Sequence, residues 1–277
     1  MLVFVTGATG YIGSEVVREL LGAGHQVIGL TRSEKGASKL REAGAKVHYG
    51  ALDDPDSIRS GAAMADGVIH LAFKHDFSDF GGSLNTDLHA IEAIGEVLEG
   101  TGKPFLTTAH ANSTLSDNAT LALGKRGVRA SVVSLSTSVH GDGDKGFVPR
   151  LISIAREKGF SAYIGDGSNR WPAIHRLDAA HLFRLALESA PAGSKLDGVG
   201  DEGIPFYDIA NIISRRLNLP LVSISREEAE THFGFLGPIA ALDIPRSSAE
   251  TQELLNWKPM HVSLLTDLEE GDYFEQK

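Results

Sequence analysis

Three glycines near the N-terminus have the spacing of a turn that binds the pyrophosphate of a dinucleotide. Residues 2–5 predict a buried strand, and Gly7, Gly10 and Gly13 separate it from a segment with helical periodicity. Gly7 would allow the tight turn, Gly10 would let the backbone approach the pyrophosphate, and Gly13 would let the helix pack on the strand. The anion would lie at the helix N-terminus, where unpaired N–H groups favour negative charge. The alternative is an ordinary strand, turn and helix. The residues predicted to contact the dinucleotide here are Gly7, Thr9, Gly10, Tyr11, Ile12 and Gly13.

Arg32 follows the next predicted strand, residues 26–30. An NAD-binding chain usually carries a carboxylate at this point, which accepts hydrogen bonds from the ribose hydroxyls. This sequence has Thr31, Arg32 and Ser33 instead, and a guanidinium can pair with a 2′-phosphate. The sequence therefore favours NADP over NAD. The alternative is that Arg32 is a solvated loop cation.

The chain has 11 histidines, which raises the question of a metal site or a catalytic base. His70 and His75 lack the helical spacing of a zinc pair, and no third ligand accompanies them, so the sequence predicts no metal. His75 and His140 each follow a predicted strand and are candidate pocket residues. The alternative for both is a loop histidine that makes an ordinary hydrogen bond.

Hydroxyl side chains lie at the end of the fifth predicted strand and shortly after it. Thr107 and Thr108 could contact a cofactor or a substrate carbonyl, as could Ser113 or Thr114. Serine and threonine at the end of a strand are more often local caps, and that alternative stays open.

Three aromatic residues could line an apolar pocket. They are Phe73, Phe147 and Trp171. Large aromatic side chains serve equally well as core, so the sequence leaves both roles open.

Composition limits the class of protein. The chain has 277 residues, of which 42% are hydrophobic, so it can bury a large core. Its net charge of −10 argues against nucleic acid or an anionic membrane as the main partner. Cysteine is absent, which excludes disulfides and thiolate metal sites. We find no signal peptide pattern and no long apolar run, and we expect a cytoplasmic protein that binds a small molecule, with a homodimer as one option.

Strand and helix signals alternate through the first half of the chain, as in a doubly wound α/β protein with a parallel sheet. Further strands are predicted at residues 46–49, 67–72, 103–108 and 129–135, with helices at 56–64 and 84–98. Beyond residue 145 the sequence predicts helices and loops, with helices at 147–158, 178–188, 205–217, 226–232 and 247–255. We therefore predict a nucleotide-binding domain over residues 1–145 and a smaller substrate-binding lobe over 146–277, interleaved with the first.

Several segments together resemble the extended and atypical short-chain dehydrogenases/reductases, the family of NAD-dependent epimerases and dehydratases. The resemblance covers nearly all of the chain and rests on residues 6–13, 68–73, 138–141, 163–167, 174–180 and 255–259. It implies a Rossmann-type sheet, NADP or NAD as cofactor, and a substrate pocket between the sheet edge and the C-terminal lobe. The predicted cofactor contacts in the fourth-strand segment are Leu71, Ala72 and Phe73, and Thr107 at the end of the fifth strand is a further predicted contact.

The chain departs from this family at the proton donor. The family uses a tyrosine, in a Tyr-x-x-x-Lys pattern, on the helix after the fifth strand, and no tyrosine lies between the fifth and sixth strands here. The only literal match begins at Tyr273, at the extreme C-terminus, and we regard it as coincidence. The interval over residues 109–127 is also short, with room for a helix only at 119–126. Either the standard donor has been lost, or the sequence lacks a loop.

Two further positions differ from the family pattern. The family's aspartate near adenine is replaced by Ala51, so adenine would be held by Leu52 and backbone groups, and Asp53 is a further candidate neighbour. Asp87 lies where the family commonly has a catalytic asparagine and atypical members an aspartate. Its alternative is an exposed helix carboxylate.

The sequence as a whole indicates an NADP-dependent oxidoreductase, or an epimerase/dehydratase homologue, acting on a small carbonyl or alcohol. The candidate catalytic residues are Thr108, Asp87 and His140, and the candidate substrate contacts are His75, Phe147 and Trp171. One alternative is an NADP-binding regulatory or sensor protein that has lost turnover. Another is an isomerase or lyase that uses NADP only transiently or structurally.

Overall fold

The computed structural model describes residues 1–76, 78–109 and 114–275. Contacts divide the chain into two compact units. The first unit contains residues 1–134, 179–196 and 250–257, and the second contains residues 135–178, 197–249 and 258–277. The chain therefore leaves the first unit and returns to it twice.

A seven-stranded sheet carries the candidate cofactor site. Its order is β10-β6-β5-β4-β1-β2-β3, and the pairings among β1 to β6 are parallel, so the carboxyl ends of these six strands lie at one edge. This confirms the predicted Rossmann-type α/β class. The twelve strands of the described residues are β1 (Leu2–Thr6), β2 (Gln26–Thr31), β3 (Lys46–Tyr49), β4 (Gly67–His70), β5 (Pro104–Thr108), β6 (Arg129–Leu135), β7 (Ser138–His140), β8 (Ser161–Ile164), β9 (Arg170–His175), β10 (Lys195–Gly198), β11 (Asp201–Pro205) and β12 (Leu221–Ile224).

The central strands are apolar because helices cover a parallel sheet on both faces. Phe4 on β1, Val68 on β4 and Phe105 on β5 have no exposed surface. No helix within the described ranges is long and apolar enough to cross a lipid bilayer. The α-helices there are α1 (Tyr11–Gly22), α2 (Glu34–Glu42), α3 (Pro55–Ala63), α4 (Phe80–Leu98), α5 (Thr114–Ala122), α6 (Phe147–Lys158), α7 (Arg176–Ser189), α8 (Phe206–Leu217), α9 (Arg226–Phe233), α10 (Gly237–Ala240), α11 (Ala249–Leu255) and α12 (Leu264–Glu270).

The second unit contains strands that the sequence did not predict. A three-stranded sheet has the order β11-β9-β7, and β12 pairs with β8. The sequence analysis located helices beyond residue 145 but assigned no strand there, and the structure adds these strands to them. These strands are only 3–6 residues long, and all except the three-residue β7 lack a regular alternation in burial, so the period-two signal is missing or too short to detect. The unit's core includes Trp171, Phe206 and Leu264.

Helix boundaries were predicted with varying success. Helix α6 has the predicted bounds, and Gly159 ends it in the left-handed conformation. Helix α5 begins at Thr114, five residues before the predicted start, and a 3₁₀ helix over Leu123–Arg126 follows it. The buried face of α5 includes Ser116 and Thr120, whose side chains do not give an apolar stripe. Polar residues on the inner face explain why the periodicity failed there.

Candidate functional site

The glycine turn begins where β1 ends at the carboxyl edge of the sheet. Gly7 has a φ of +66°, which only glycine adopts easily. The amide of Gly10 donates to the carbonyl of Gly7 at 2.9 Å, which closes the turn. Gly10 caps α1 with extended backbone and no side-chain hydrogen bond, so no side chain covers the first N–H groups of the helix. This is an open helix N-terminus of the kind that binds phosphate groups.

Close packing explains why the first and third glycines carry no side chain. A Cβ on Gly13 would lie 2.0 Å from the carbonyl oxygen of Gly7, so the helix could not approach the turn. A Cβ on Gly7 would lie 2.8 Å from the amide nitrogen of Ala72, just beyond β4. Gly10 differs, because its Cβ would meet only the Gly7 carbonyl, at 3.1 Å. The space beside Gly10 is otherwise open and the residue is exposed, so a ligand could approach the backbone there. Thr9, Tyr11 and Ile12 are half-buried along the same turn.

A buried polar network fixes the ends of β1 and β4 beneath the turn. The Oγ1 of Thr6 accepts from the amides of Leu71 and Ala72, each at 3.2 Å, and lies 2.8 Å from Nδ1 of His70. Two amides occupy the lone pairs of the hydroxyl, so its proton is donated to Nδ1. The proton of the imidazole is then on Nε2, which donates to Asp87 Oδ1 at 3.1 Å. Leu71 and Ala72 are thereby held beside the glycine turn.

Arg32 lies beyond the end of β2, at the same edge of the sheet. Its side chain is exposed, and the next residue, Ser33, caps α2 by accepting from the amide of Gly36 at 3.1 Å. Leu52, the predicted adenine contact, is half-buried and packs against the first unit's core. Gly7, Arg32 and Leu52 therefore follow three neighbouring parallel strands, which is the placement that a dinucleotide needs.

Two further predicted cofactor contacts, Phe73 and Thr107, have side chains that contact other side chains of the protein. Phe73 follows β4 and packs edge-on against His75 and Phe80, with ring centroids 5.4 Å and 5.9 Å apart. Thr107 is buried on β5, and its hydroxyl lies 3.2 Å from that of Thr120 on α5. Contact of Thr107 with a cofactor stays a prediction.

Two of the three catalytic candidates belong to the first unit. Thr108 is the last residue of β5, and its buried Oγ1 has no hydrogen-bond partner among the described residues. Asp87 is 2% exposed on α4, so the alternative of an exposed helix carboxylate is wrong. Its hydrogen bond to His70 gives Asp87 a structural role, and a catalytic role for it stays a prediction. Thr114 is exposed at the start of α5, and Ser113 lies outside the described residues.

The third candidate, His140, belongs to the second unit and has a carboxylate partner that the sequence analysis missed. Its Nδ1 lies 2.8 Å from Oδ2 of Asp267 on α12, while its buried Nε2 has no partner within the described part of the chain. A carboxylate on one ring nitrogen orients the other for proton exchange. Asp267 is 127 residues away in sequence, so no spacing signal could have linked the two.

Other titratable groups surround His140. The ring of His175 lies edge-on at 5.3 Å and stacks on that of His261 at 4.7 Å. Burial lowers the pKa of His175 to about 4, with further contributions from His140 and His261. Burial also raises the pKa of Asp144, whose Oδ2 accepts from the phenol of Tyr273 at 3.0 Å. Within residues 1–76, 78–109 and 114–275, no group of three or more His, Cys, Asp or Glu side chains could hold a metal ion.

The three candidate substrate contacts have unlike environments. His75 is exposed beyond β4. Phe147, at the start of α6, lies 6.2 Å from the ring of Trp171. Trp171 has no exposed surface, and its indole N–H donates to the carbonyl of Ile239 at 3.2 Å. This packing favours the alternative of a core role for Trp171, and substrate contact by His75 and Phe147 stays a prediction.

Comparison with known proteins identifies a matching family and several similar proteins. Residues 3–98 match the NAD dependent epimerase/dehydratase family. An uncharacterised protein of Schizosaccharomyces pombe is 50% identical over 296 aligned positions, which cover 99% of this chain and 100% of that protein. The 2-alkyl-3-oxoalkanoate reductase of Stenotrophomonas maltophilia is 25% identical over 259 positions, covering 80% of this chain and 77% of the reductase.

Solved structures share the fold at low sequence identity. A double mutant of dTDP-glucose 4,6-dehydratase from Streptomyces venezuelae, with NAD bound, aligns with a TM-score of 0.76 and 16% identity. The alignment covers 97% of this chain and 95% of the dehydratase.

The alignment with the S. pombe protein has 296 positions, which is more than the 277 residues of this chain. That relative therefore has residues without a counterpart in this chain.

Proposed function

Because this chain belongs to the NAD dependent epimerase/dehydratase family, we propose that it binds NADP and transfers hydride between that cofactor and a small carbonyl or alcohol substrate. The observation that carries the proposal is the open glycine turn at the carboxyl end of β1. Gly7 has the left-handed conformation, Gly13 lies in contact with it, and the backbone at Gly10 is uncovered. The uncapped N-terminus of α1 supplies N–H groups for a pyrophosphate.

The preference for NADP over NAD rests on Arg32. Its exposed guanidinium follows β2, where the ribose of the adenosine half is expected. No aspartate or glutamate occupies residues 31–33, so nothing there would repel a 2′-phosphate. A guanidinium forms charge-assisted, bidentate hydrogen bonds with phosphate, which supports recognition of the phosphorylated ribose.

A ketone is the substrate class that the relatives favour. The S. maltophilia relative is named as a reductase of 2-alkyl-3-oxoalkanoates, and these compounds carry a ketone that hydride from NADPH would reduce to an alcohol. Such a reductase needs one hydride from C4 of the nicotinamide and one proton for the carbonyl oxygen. A 2-alkyl-3-oxoalkanoate is therefore a reasonable first substrate, with simple ketones beside it.

A binding protein without turnover is the competing function, and one observation favours it. The sequence contains no tyrosine between Thr108 and Arg129, which is where the family places its proton donor. Such a protein would bind NADPH and leave ketones unreduced. An isomerase or lyase would instead convert its substrate with no net change in the cofactor.

Two measurements separate these functions. NADPH fluorescence titration tests binding, and the loss of NADPH absorbance with added ketone tests hydride transfer. Binding with ketone-dependent oxidation is expected for the proposed reductase. Binding without oxidation or substrate conversion would favour the regulator, and failure to bind NADPH or NADH would overturn the proposal altogether. Gly10→Val provides the control, since it should abolish the binding on which both signals depend.

A further inference from the structure

Two charged residues face each other across the edge of the sheet that would bind the cofactor. Asp53 lies four residues beyond the end of β3, and Lys74 lies four residues beyond the end of β4. The sheet order places β1 and β2 between these two strands. Neighbouring strands are about 4.8 Å apart, so β3 and β4 are separated by roughly 14 Å. The loops that carry the two residues must therefore extend toward each other over the carboxyl ends of β1 and β2.

The two side chains meet in an ion pair. The Nζ of Lys74 donates to Oδ2 of Asp53 at 2.9 Å, and the side chains are 35% and 63% exposed. The hydrogen bond from Lys74 holds the pKa of Asp53 below its usual value, and the charge of Arg32 contributes in the same direction. Asp53 is therefore ionised at neutral pH and lies within the electrostatic field of Arg32.

The adenosine half of a dinucleotide would lie over the carboxyl ends of β1 and β2. The pyrophosphate would lie on the glycine turn after β1, and the ribose 2′-position would lie beside Arg32 after β2. An ion pair between the loops after β3 and β4 crosses the space between these points. The pair therefore borders the space that bound adenosine would occupy.

We propose that Asp53 and Lys74 form a clasp that closes over the adenosine half of the bound dinucleotide and slows its release. The inference rests on the proposed function, because it assumes that the glycine turn binds NADP or NAD. It assigns a binding role to Lys74, which no sequence pattern indicated. The fold gains little from the pair, since an exposed ion pair usually changes an equilibrium by a factor of about 1.4 to 5.

Dissociation kinetics test the clasp directly. NADPH bound to the full chain is displaced with excess NADP in a stopped-flow instrument, and the dissociation rate is compared for wild type, Lys74→Met, Asp53→Asn and the double variant. Either single change opens the clasp, so each should raise the dissociation rate by about two- to fivefold. The double variant should dissociate no faster than the single variants, because the same interaction is lost in all three. Added salt should accelerate release from wild type and have less effect on the variants.

A matched control is available at the opposite edge of the sheet. Arg126 pairs with Glu99 at 2.6 Å, with the side chains 43% and 51% exposed, and Arg126 lies before the start of β6. Arg126→Met removes an equally exposed ion pair and should leave the dissociation rate unchanged. Circular dichroism of every variant verifies that the fold is retained.

Three results would overturn the clasp. Unchanged dissociation in both single variants would show that the pair does not lie over the ligand. Additive effects in the double variant would show that the two residues contact the cofactor separately. A wild-type chain that binds neither NADPH nor NADH would remove the proposed function and the clasp with it. That last result is distinct from normal binding with unchanged release, which would remove the clasp alone.

Discussion

The imidazole of His70 donates to the carboxylate of Asp87 across 3.1 Å, and each side chain is only 2% exposed. This bond joins the end of β4 to α4, and through Thr6 it extends to the strand that precedes the glycine turn. Burial of a carboxyl group is costly unless hydrogen bonds compensate for the lost water. The network therefore stabilises the fold beneath the candidate site. This structural role does not depend on a catalytic role for Asp87.

Asp87→Ala should destabilise the protein by about 1–3 kcal/mol, because it leaves the Nε2–H group of His70 buried without an acceptor. Asp87→Asn keeps an acceptor oxygen and should recover most of that loss. Urea unfolding followed by circular dichroism measures both. If Asp87→Ala were as stable as wild type but reduced NADPH oxidation sharply, Asp87 would be a catalytic residue rather than a structural one.

Arg32→Ala should remove the preference for NADPH over NADH. A charge-assisted hydrogen bond contributes about 1.5–3 kcal/mol, so wild type should bind NADPH at least about tenfold more tightly. The variant should bind both cofactors with similar affinity, near that of wild type for NADH. Fluorescence titrations with the two cofactors provide the comparison, and equal affinities in wild type would contradict the assignment.

Gly10→Val and Gly13→Ala should fail in different ways. The space beside Gly10 is open apart from one contact at 3.1 Å, so valine there should leave the chain folded and exclude the pyrophosphate. The smaller change at Gly13 places a methyl group 2.0 Å from a backbone oxygen, so it should destabilise the turn itself. Thermal unfolding and NADPH titration separate the two effects. Retained cofactor binding in Gly10→Val would mean that the turn serves only the fold.

His175 should make stability depend on pH in the acidic range. Its pKa is lowered to about 4 by burial and by its histidine neighbours, whereas in the unfolded chain it is about 6.5. Between these values the unfolded chain binds more protons, so the free energy of unfolding falls as pH falls from about 6.5 to 4. His175→Gln should reduce that fall by about 1–2 kcal/mol after allowance for solvent screening.

Packing changes are separated from titration by comparing wild type and His175→Gln near pH 8, where histidine is neutral in both folded and unfolded chains. The difference in stability at that pH reports packing alone. If the difference in unfolding free energy between wild type and His175→Gln were the same at about pH 8 and about pH 4.5, His175 would titrate normally in the folded protein.

The proton donor is tested by Thr108→Val and His140→Gln, measured with a ketone that supports NADPH oxidation. General acid catalysis typically contributes a factor of about 10²–10⁴, so loss of the donor should lower kcat by that order while NADPH affinity is retained. Asp267→Asn should reproduce part of the His140 effect, because it removes the carboxylate that orients the ring. Brisk turnover in both Thr108→Val and His140→Gln would place the donor elsewhere.

Local features of the sequence determined much of the first unit, although α2 was not predicted and α5 begins earlier than expected. The glycine spacing and the alternation of strand and helix depend on interactions within a few residues, and so do the bounds of α6 in the second unit. A tight turn needs glycine whatever the rest of the chain does, and an apolar stripe at helical spacing indicates a helix before its partner is known. The parallel sheet, and with it the position of the turn at its carboxyl edge, follow from that alternation.

Only the tertiary structure decided which polar groups meet. His70 and Asp87 are 17 residues apart, His140 and Asp267 are 127 apart, and Asp53 and Lys74 follow strands that are not neighbours in the sheet. Side-chain hydrogen bonds between distant residues leave no periodic signal, since either partner alone has the composition of an ordinary loop or helix. The short strands of the second unit were missed for a related reason, because three to six residues become a strand through pairing with another strand rather than through their own pattern.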